Sequence, residues 1–272
     1  MTLWVGTSWK MNKTLAEARD YAAGLQRALS GRDLAGVQPF LLPPATALAS
    51  VAEVLDGAPV LVGAQNAHWE DAGAWTGEVS VPQVADAGAR LVEIGHSERR
   101  EHFGETDETV RRKVAAVLRH GLTPLLCIGE PAGVRGAGAS TGFILEQARR
   151  ALDGLDDAGL SRVLIAYEPI WAIGAGGRPA DPDELRGPFA ALAEEYGGRV
   201  AGLLYGGSVD AANAPGLLDL PHVDGLFIGR SAWELEGYLQ LLDLAAGFRA
   251  DGTGRHNPFV TEHGSNKEGV DQ

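Results

Sequence analysis

One carboxylate, Glu168, stands where an apolar segment of the chain meets a glycine-rich one. The run V-L-I-A-Y before it is typical of a buried strand, and Pro169 and a cluster of Gly174, Gly176 and Gly177 follow it. Parallel α/β barrels carry catalytic groups at the carboxyl ends of their strands, and glycines let a segment fold over a ligand. A carboxylate at a strand end is also often an ordinary loop residue. The pattern makes Glu168 a candidate proton-transfer group ahead of a candidate lid.

Two further side chains with useful chemistry follow other apolar runs. Lys10 comes after L-W-V-G-T-S-W, and His96 comes after L-V-E-I-G. Taken alone, Lys10 is typical of a solvated surface charge and His96 of a hydrogen-bonded loop residue. Ser97 is expected to cap a short helix at 98–103, and the positive end of a helix dipole disfavours a charged imidazole. In a parallel barrel, Lys10 and His96 would both stand at the mouth.

Two glycine-containing motifs late in the chain are candidates for a phosphate site. Y-G-G-S-V precedes a polar stretch, and F-I-G-R-S-A-W opens another short helix. Backbone N–H groups at Gly207, Ser208, Gly229 and Arg230 could converge on one anion with help from a helix N-terminus. One glycine pair would be weak evidence. Two such motifs, after the last two strands of a barrel, match the usual phosphate site of that architecture.

The elements that must position these residues alternate along the chain. Apolar runs predict eight strands, near 3–8, 38–42, 60–64, 91–94, 123–128, 162–167, 200–205 and 225–228. Helical patterns lie between them, near 15–30, 46–55, 81–87, 106–119, 140–153, 181–195, 210–218 and 238–248. Eight βα units without a composition break predict an α/β fold with a single (β/α)8 barrel, which takes about 250 residues. We expect the barrel domain to span 1–248 and the polar tail 249–272 to be loosely ordered.

Several helix boundaries carry their own signals. Thr14 with Glu17, and Asp181 with Glu184, have the spacing of a capping box, in which two side chains satisfy the free N–H groups of a helix start. Pro188 falls inside the sixth of the main helices. Because proline has no N–H and crowds the preceding turn, we expect that helix to kink or to start late.

Composition excludes several classes of function. The 272-residue chain has a formal net charge of −13, which disfavours nucleic acid and anionic membrane surfaces as partners. The single Cys127 permits no intrachain disulfide or zinc cluster, and its expected role is packing near the catalytic strand. Neither a signal peptide nor a stretch of ~18 apolar residues is visible, so we expect a cytoplasmic protein. The residues also give no reason to expect a metal or cofactor.

Three strings resemble the catalytic segments of triosephosphate isomerases. They are W-K-M-N at 9–12, I-G-H-S-E-R-R at 94–100 and Y-E-P-I-W-A-I-G at 167–174. The similarity extends over about residues 1–248, and the motifs together are highly specific for that family. The resemblance therefore adds roles to residues that the spacing alone leaves ambiguous.

The resemblance implies an enzyme that isomerises a small phosphorylated sugar without a cofactor. Glu168 would be the general base and His96 the electrophile, used as a neutral imidazole; triosephosphate isomerase is itself the standard example of this pairing. Lys10 would attract the phosphate and the developing enediolate oxygen. Glu98 would be a supporting carboxylate behind these groups, and Gly174 would belong to the lid that contacts the substrate.

The resemblance also implies an oligomer. The segment T-G-E-V-S at 76–80 is similar to the loop that reaches into a dimer partner in the family. The Gly73–Ser80 loop carries Trp75 and Thr76 between glycines, which makes it too apolar to extend freely into solvent. We expect a homodimer built through this loop, or a higher oligomer of such dimers.

Three positions depart from the triose pattern. Ser8 stands where the family usually has asparagine, the lid tip 174–177 reads G-A-G-G in place of G-T-G-K, and Arg230 replaces the second residue of a glycine pair. All three touch the expected ligand site, so a changed substrate is favoured over neutral drift. With its surrounding strings, this pattern is most similar to the family branch that converts L-erythrulose 1-phosphate into D-erythrulose 4-phosphate in tetritol catabolism. Ser8 would supply room for the extra hydroxymethyl carbon.

Other functions stay open at this point. The nearest alternative is an ordinary triosephosphate isomerase, which interconverts dihydroxyacetone phosphate and glyceraldehyde 3-phosphate. An aldolase-like or synthase barrel would need a Schiff-base lysine or a metal cluster, and neither is evident in the sequence. A non-enzymatic binding protein is compatible with the fold, but it would not need a base, an electrophile and an ammonium group together.

Overall fold

The computed structural model describes residues 2–174 and 176–250. Within these ranges eight parallel strands pair in chain order and β1 pairs with β8, so that the sheet closes into a barrel. The strands are β1 (Leu3–Ser8), β2 (Val37–Leu42), β3 (Leu61–Ala64), β4 (Leu91–Ile94), β5 (Thr123–Ile128), β6 (Leu164–Tyr167), β7 (Gly202–Tyr205) and β8 (Gly225–Ile228). The predicted (β/α)8 barrel is therefore confirmed.

Helices connect the strands around the outside of the barrel. Within the described ranges they are α1 (Leu15–Leu29), α2 (Leu48–Val54), α3 (Val81–Asp86), α4 (Ser97–Phe103), α5 (Asp107–Arg119), α6 (Ala132–Gly136), α7 (Ser140–Leu152), α8 (Asp157–Leu160), α9 (Pro182–Tyr196), α10 (Ala214–Leu218) and α11 (Leu235–Ala250). Two 3₁₀ turns, Ile170–Ala172 and Arg230–Ala232, follow β6 and β8. None of the helices described is long and apolar enough to cross a membrane.

Two apolar layers pack the barrel. One lies between the strands and the surrounding helices, and the other fills the barrel interior. The interior layer consists of Phe40, Leu42, Leu91, Leu125, Cys127, Leu164, Ala166, Leu204 and Phe227. Because side chains alternate across a strand, Glu93 points to the same side as Leu91, two residues before it. The Glu93 carboxyl group therefore lies among the apolar side chains of the barrel interior.

Capping explains where the main helices begin. Both predicted capping boxes form, Thr14 with Glu17 at α1 and Asp181 with Glu184 at α9. The prediction that the sixth main helix starts late is wrong, because α9 begins at Pro182 behind the Asp181 cap and continues through the buried Pro188. The short helices α6 and α8 were not predicted, and α10 begins later than the predicted 210. The tail 249–272, predicted to be loosely ordered, lies almost entirely outside the described residues.

Candidate active site

A cleft of ≈ 670 Å³ opens at the carboxyl ends of the strands. All the residues predicted to carry the chemistry or to touch the substrate line it, namely Ser8, Lys10, His96, Glu98, Glu168, Gly174, Gly207, Ser208, Gly229 and Arg230. Cys127 does not line the cleft and lies beneath it in the barrel interior. Side chains that are up to 222 residues apart in sequence thus meet because the barrel brings its strand ends together.

His96 is held as a neutral imidazole by the start of α4. Its Nδ1 accepts a hydrogen bond from the backbone N–H of Glu98 at 3.2 Å. An accepting Nδ1 carries no proton, so the ring proton of the neutral form is on Nε2. Burial and the charge of Lys10 lower the pKa of His96 to about 4. The expectation that Ser97 caps this helix is wrong, because His96 is itself the capping residue.

Glu168 lies directly across from the proton on His96. Its Oε2 is 3.4 Å from Nε2 of His96, and the side chain is only 5% exposed. This oxygen is buried and has no hydrogen-bond partner among the described residues. Burial and the negative charge of Glu93 raise the pKa of Glu168 well above its ordinary value. A desolvated carboxylate with a free lone pair is suited to accept a proton from carbon.

Lys10 brings a positive charge to the same side of the cleft. Its Nζ donates to Oε1 of Glu98 at 2.6 Å. Burial alone would raise the pKa of Glu98, but the hydrogen bond and charge of Lys10 outweigh burial and hold that pKa below its ordinary value. Glu98 therefore holds Lys10 through its carboxylate and His96 through its backbone N–H.

The backbone at Lys10 is held in a conformation that non-glycine residues rarely adopt. Its φ is 53°, in the left-handed region. Gln65 Nε2 donates to the Lys10 carbonyl at 2.9 Å, and Asn12 Nδ2 donates to the Trp9 carbonyl at 2.7 Å. These bonds fix the loop after β1, so the lysine side chain is aimed into the cleft by backbone strain that neighbouring side chains stabilise.

The sequence motifs did not single out Glu93 on β4, a buried acid that contacts a residue of the cleft. Its side chain is buried, and Ser8 Oγ donates to its Oε2 at 2.9 Å. Burial raises the pKa of Glu93 to about 7, although the hydrogen bond from Ser8 opposes the rise. A Glu within the run L-V-E-I, on the same side of the strand as Leu91, is the signal that could have revealed it. Acidic residues are rarely fully buried without a partner.

The part of the cleft formed by the residues after β8 has the features of an anion site. Gly229 and the 3₁₀ turn Arg230–Ala232 come directly after β8. Arg230 Nη2 donates to the carbonyl of Gly174 at 3.0 Å and so connects this turn to the start of the lid. The backbone N–H of Ser208 already donates to the carbonyl of Ala172 at 3.1 Å. Ser208 therefore contacts the segment after β6 in this structure, rather than offering a free N–H to the cleft.

Only glycine fits at position 206, the residue directly after β7. A Cβ there would lie 2.6 Å from Cγ of Glu168, well inside van der Waals contact. The missing side chain lets β7 approach the carboxylate closely. Gly206 thereby lets β7 shield one side of the Glu168 carboxyl group from solvent. This contributes to the desolvation that raises the pKa of Glu168.

The start of the candidate lid is anchored by a further buried carboxyl group. Glu130 Oε1 accepts hydrogen bonds from Trp171 Nε1 at 2.8 Å and from the Tyr167 hydroxyl at 3.2 Å. The guanidinium groups of Arg135 and Arg178 lie 4.3 and 4.8 Å from the centre of the Trp171 ring. Trp171, in the 3₁₀ turn after β6, is thus held in place by polar and cation–π contacts.

The described residues contain no group of three or more His, Cys, Asp or Glu side chains that could hold a metal ion. Cys127 is buried next to Glu168, and burial together with the nearby carboxylates raises the pKa of its thiol well above the ordinary value. The thiol therefore stays protonated and packs under the base, as expected from the sequence.

Comparisons with known proteins agree with this geometry. A family model described as triosephosphate isomerase matches residues 3–245. Among solved structures, a triosephosphate isomerase from Bartonella henselae is similar, with a TM-score of 0.79 and 32% sequence identity; the match covers 90% of this chain and 99% of that chain.

Curated relatives are more similar in sequence. An L-erythrulose-1-phosphate isomerase from Mycolicibacterium smegmatis is 65% identical over 245 residues, which are 90% of this chain and 93% of the relative. Proteins of the same name from Brucella abortus and Rhizobium rhizogenes are each 52% identical, over 88% and 91% of this chain and 94% and 97% of their own lengths.

Proposed function

This chain belongs to the triosephosphate isomerase family, and on that premise we propose that it interconverts L-erythrulose 1-phosphate and D-erythrulose 4-phosphate. The carrying observation is that relatives named for L-erythrulose 1-phosphate are 52–65% identical over most of the chain, whereas the solved triosephosphate isomerase is 32% identical. The enzyme is thus an isomerase, and its proposed substrate is a triose phosphate lengthened by one hydroxymethyl group.

The proposed reaction begins with removal of a proton from carbon. Glu168 takes the proton on C3 of L-erythrulose 1-phosphate, and the electron pair moves toward the C2 carbonyl oxygen. Nε2–H of His96 donates a hydrogen bond to that oxygen, and the Lys10 ammonium stabilises its developing negative charge. The intermediate is an enediolate with oxygens on C2 and C3.

The second half reverses the roles of the two carbons. Glu168 returns the proton to C2, while the hydroxyl on C3 loses its proton and becomes the carbonyl. Since the ring of His96 lies between the two oxygens in this scheme, it can pass one proton from O3 to O2. No electron leaves the sugar, so the scheme requires neither a redox cofactor nor a metal. We propose that the reaction takes place in the cytoplasm.

The residues after β7 and β8 would hold the phosphate. Backbone N–H groups at Gly207, Gly229 and Arg230, with the Arg230 guanidinium, supply positive potential to a chain of net charge −13. Ser208 could join them when the substrate draws the lid inward and its bond to Ala172 rearranges. We propose that the segment from Pro169 to Gly177 then covers the substrate.

The function is tested by comparing two substrates with the purified wild-type enzyme. Product formation from L-erythrulose 1-phosphate and from dihydroxyacetone phosphate is followed by NMR, and kcat/KM is measured for each. We expect the tetrose phosphate to have the larger kcat/KM, with some remaining activity on the triose, since a roomy pocket rejects a smaller substrate only weakly.

A larger kcat/KM for dihydroxyacetone phosphate would refute the tetrose assignment and leave triosephosphate isomerase as the function. Absence of activity on both compounds, in protein with native circular dichroism, would refute the isomerase mechanism.

We also propose that the enzyme is a homodimer, or an oligomer of dimers, built through the Gly73–Ser80 loop. Residues 70–78 are all exposed in the single chain, and Trp75 is 47% exposed while packing on His68 at 4.4 Å between ring centres. Met11 and Leu15 are other large apolar side chains on the exposed surface, at 97% and 43%. Such apolar exposure favours burial against a second copy.

The oligomer prediction is checked by light scattering on size-exclusion chromatography. The wild type is expected at twice the 28.5 kDa mass of the chain, or at a larger even multiple. Trp75→Glu should shift the mass toward the monomer, because it puts a charge into the buried contact. Ala190→Glu, on the exposed side of α9, is the matched control and should leave the mass unchanged. A fully active monomeric wild type at assay concentration would refute the proposal.

A further inference from the structure

The barrel interior beneath the cleft contains a carboxyl group that the proposed chemistry does not use. Glu93 is 3% exposed and lies in the interior series of β4, with Leu91 in the layer beneath it. Its contact to the cleft is the hydrogen bond from Ser8, whose side chain lines the cleft. Ser8 thus connects a buried acid to the space next to the reacting groups.

This hydrogen bond decides which way the Ser8 hydroxyl faces. A serine hydroxyl can donate one hydrogen bond and accept two. At 2.9 Å from Glu93 Oε2, its proton is engaged by the carboxyl group, especially above neutral pH, where Glu93 is charged. The lone pairs of Ser8 Oγ are left for an atom in the cleft. An acceptor fixed in this way favours a ligand hydroxyl as donor.

Resting on the proposed function, we propose that Glu93 is a positioning residue for substrate specificity: it orients Ser8 so that Ser8 Oγ accepts a hydrogen bond from the terminal hydroxyl of the tetrose phosphate. That hydroxyl belongs to the hydroxymethyl group that a triose phosphate lacks. Glu93 takes no part in proton transfer and acts only through Ser8.

The proposal separates two contributions of position 8. The small size of serine provides room for the extra carbon, and the oriented oxygen provides a partner for the extra hydroxyl. Room alone discriminates weakly, whereas a site built to bond a hydroxyl discriminates more strongly against an analogue without it. Removing the orientation while keeping the room should therefore affect the tetrose phosphate selectively.

The test measures kcat/KM on both sugar phosphates at pH 8 for Glu93→Leu, Ser8→Ala and the double variant. Each single variant is expected to lower kcat/KM for L-erythrulose 1-phosphate about five- to tenfold, the scale of one lost hydrogen bond, with little change for dihydroxyacetone phosphate. The double variant should lose no more than either single variant, because both remove the same interaction. Glu93→Gln should restore most of the preference, since its amide oxygen can still accept from Ser8.

Two controls separate positioning from a merely structural role. Leu91→Val alters the same face of β4 one layer deeper and should leave the ratio of the two kcat/KM values unchanged. Thermal unfolding and circular dichroism show whether Glu93→Leu is folded. If it is not, Glu93→Met, which is close in size to glutamate, takes its place beside Ser8→Ala.

An unchanged ratio in folded Glu93→Leu, or in Ser8→Ala, would overturn the proposal. Equal losses on both substrates, or independent effects in the double variant, would also overturn it, because Glu93 would then not act through Ser8. A wild type that prefers the triose would instead refute the proposed function, before any variant is compared.

Discussion

Glu168→Gln is expected to lower kcat by about three orders of magnitude, within the range of about 10²–10⁴ for a positioned general acid or base. The variant keeps the shape of the side chain and removes its ability to accept a proton from carbon. The carboxylate lies 3.4 Å from His96 Nε2 and has a buried, unpartnered oxygen among the described residues, the arrangement a base next to an electrophile requires. Steady-state kinetics on L-erythrulose 1-phosphate give the measurement.

Two observations make the Glu168 result specific. Binding of glycerol phosphate, followed by calorimetry, should be nearly unchanged, since the proposed anion site is formed by other residues. Glu130→Gln is the matched control, because Glu130 is equally buried but is engaged by Trp171 and Tyr167 and does not line the cleft. It should keep kcat within about tenfold. A Glu168→Gln enzyme with more than a tenth of the wild-type kcat would remove Glu168 from the mechanism.

Ser8→Asn is expected to lower kcat/KM for L-erythrulose 1-phosphate by at least about tenfold, equivalent to ~1.4 kcal/mol of transition-state stabilisation. Asparagine adds an amide next to Lys10 and fills the space that the hydroxymethyl group would occupy. Lys10, His96 and Glu168 are untouched, so turnover of dihydroxyacetone phosphate should fall less or rise. The decisive quantity is the ratio of the two kcat/KM values before and after substitution.

The control for added bulk is Ser231→Asn. Ser231 lines the cleft in the turn after β8, on the side of the proposed phosphate site. The same side chain placed there should lower kcat/KM for both substrates alike. If Ser8→Asn leaves the ratio unchanged, position 8 does not set the chain length of the substrate. Because Arg230 and the lid tip also differ from the triose pattern, a complete switch of specificity is not expected.

Local patterns were sufficient to predict most of the barrel. Strand β4 was predicted at 91–94 and found at Leu91–Ile94. A short, mostly apolar run is typical of a strand in a parallel sheet, which is covered on both faces. Strand β6 begins two residues later than predicted. Arg162 and Val163 donate their backbone N–H groups to carbonyls of the turn that ends α8. These N–H groups are therefore not available to the sheet. That turn depends on Asp156, a cap that was not recognised.

The motifs predicted which residues line the site, but not the hydrogen bonds that orient them. Ser8 and Glu93 are 85 residues apart, and their hydrogen bond depends on where β1 and β4 come to lie around the closed barrel, which no local pattern encodes. The cap at α4 was assigned to the residue after His96, because serine is the commoner cap and imidazole a rare one. In both cases the hydrogen-bond partner of the side chain depends on tertiary structure, so the sequence alone did not predict it.

The buried acids under the cleft also have a consequence for the free energy of unfolding. Glu93 has a pKa of about 7 in the folded chain and near 4.5 when exposed, so the folded state binds the extra proton between these values. Its contribution to stability is fully present below pH 4.5 and is lost as the pH rises through 7. Glu168 acts in the same direction.

His96 opposes this trend over part of the range. Its pKa falls from 6.5 to about 4 on folding, so its contribution is lost as the pH drops below 6.5. Above pH 6.5 that effect is complete, and the carboxyl groups alone determine the slope that these three residues impose. Raising the pH through neutrality therefore charges Glu93, and this charging makes the empty fold easier to unfold. The charge with which Glu93 is proposed to orient Ser8 is in this way gained at the expense of thermodynamic stability.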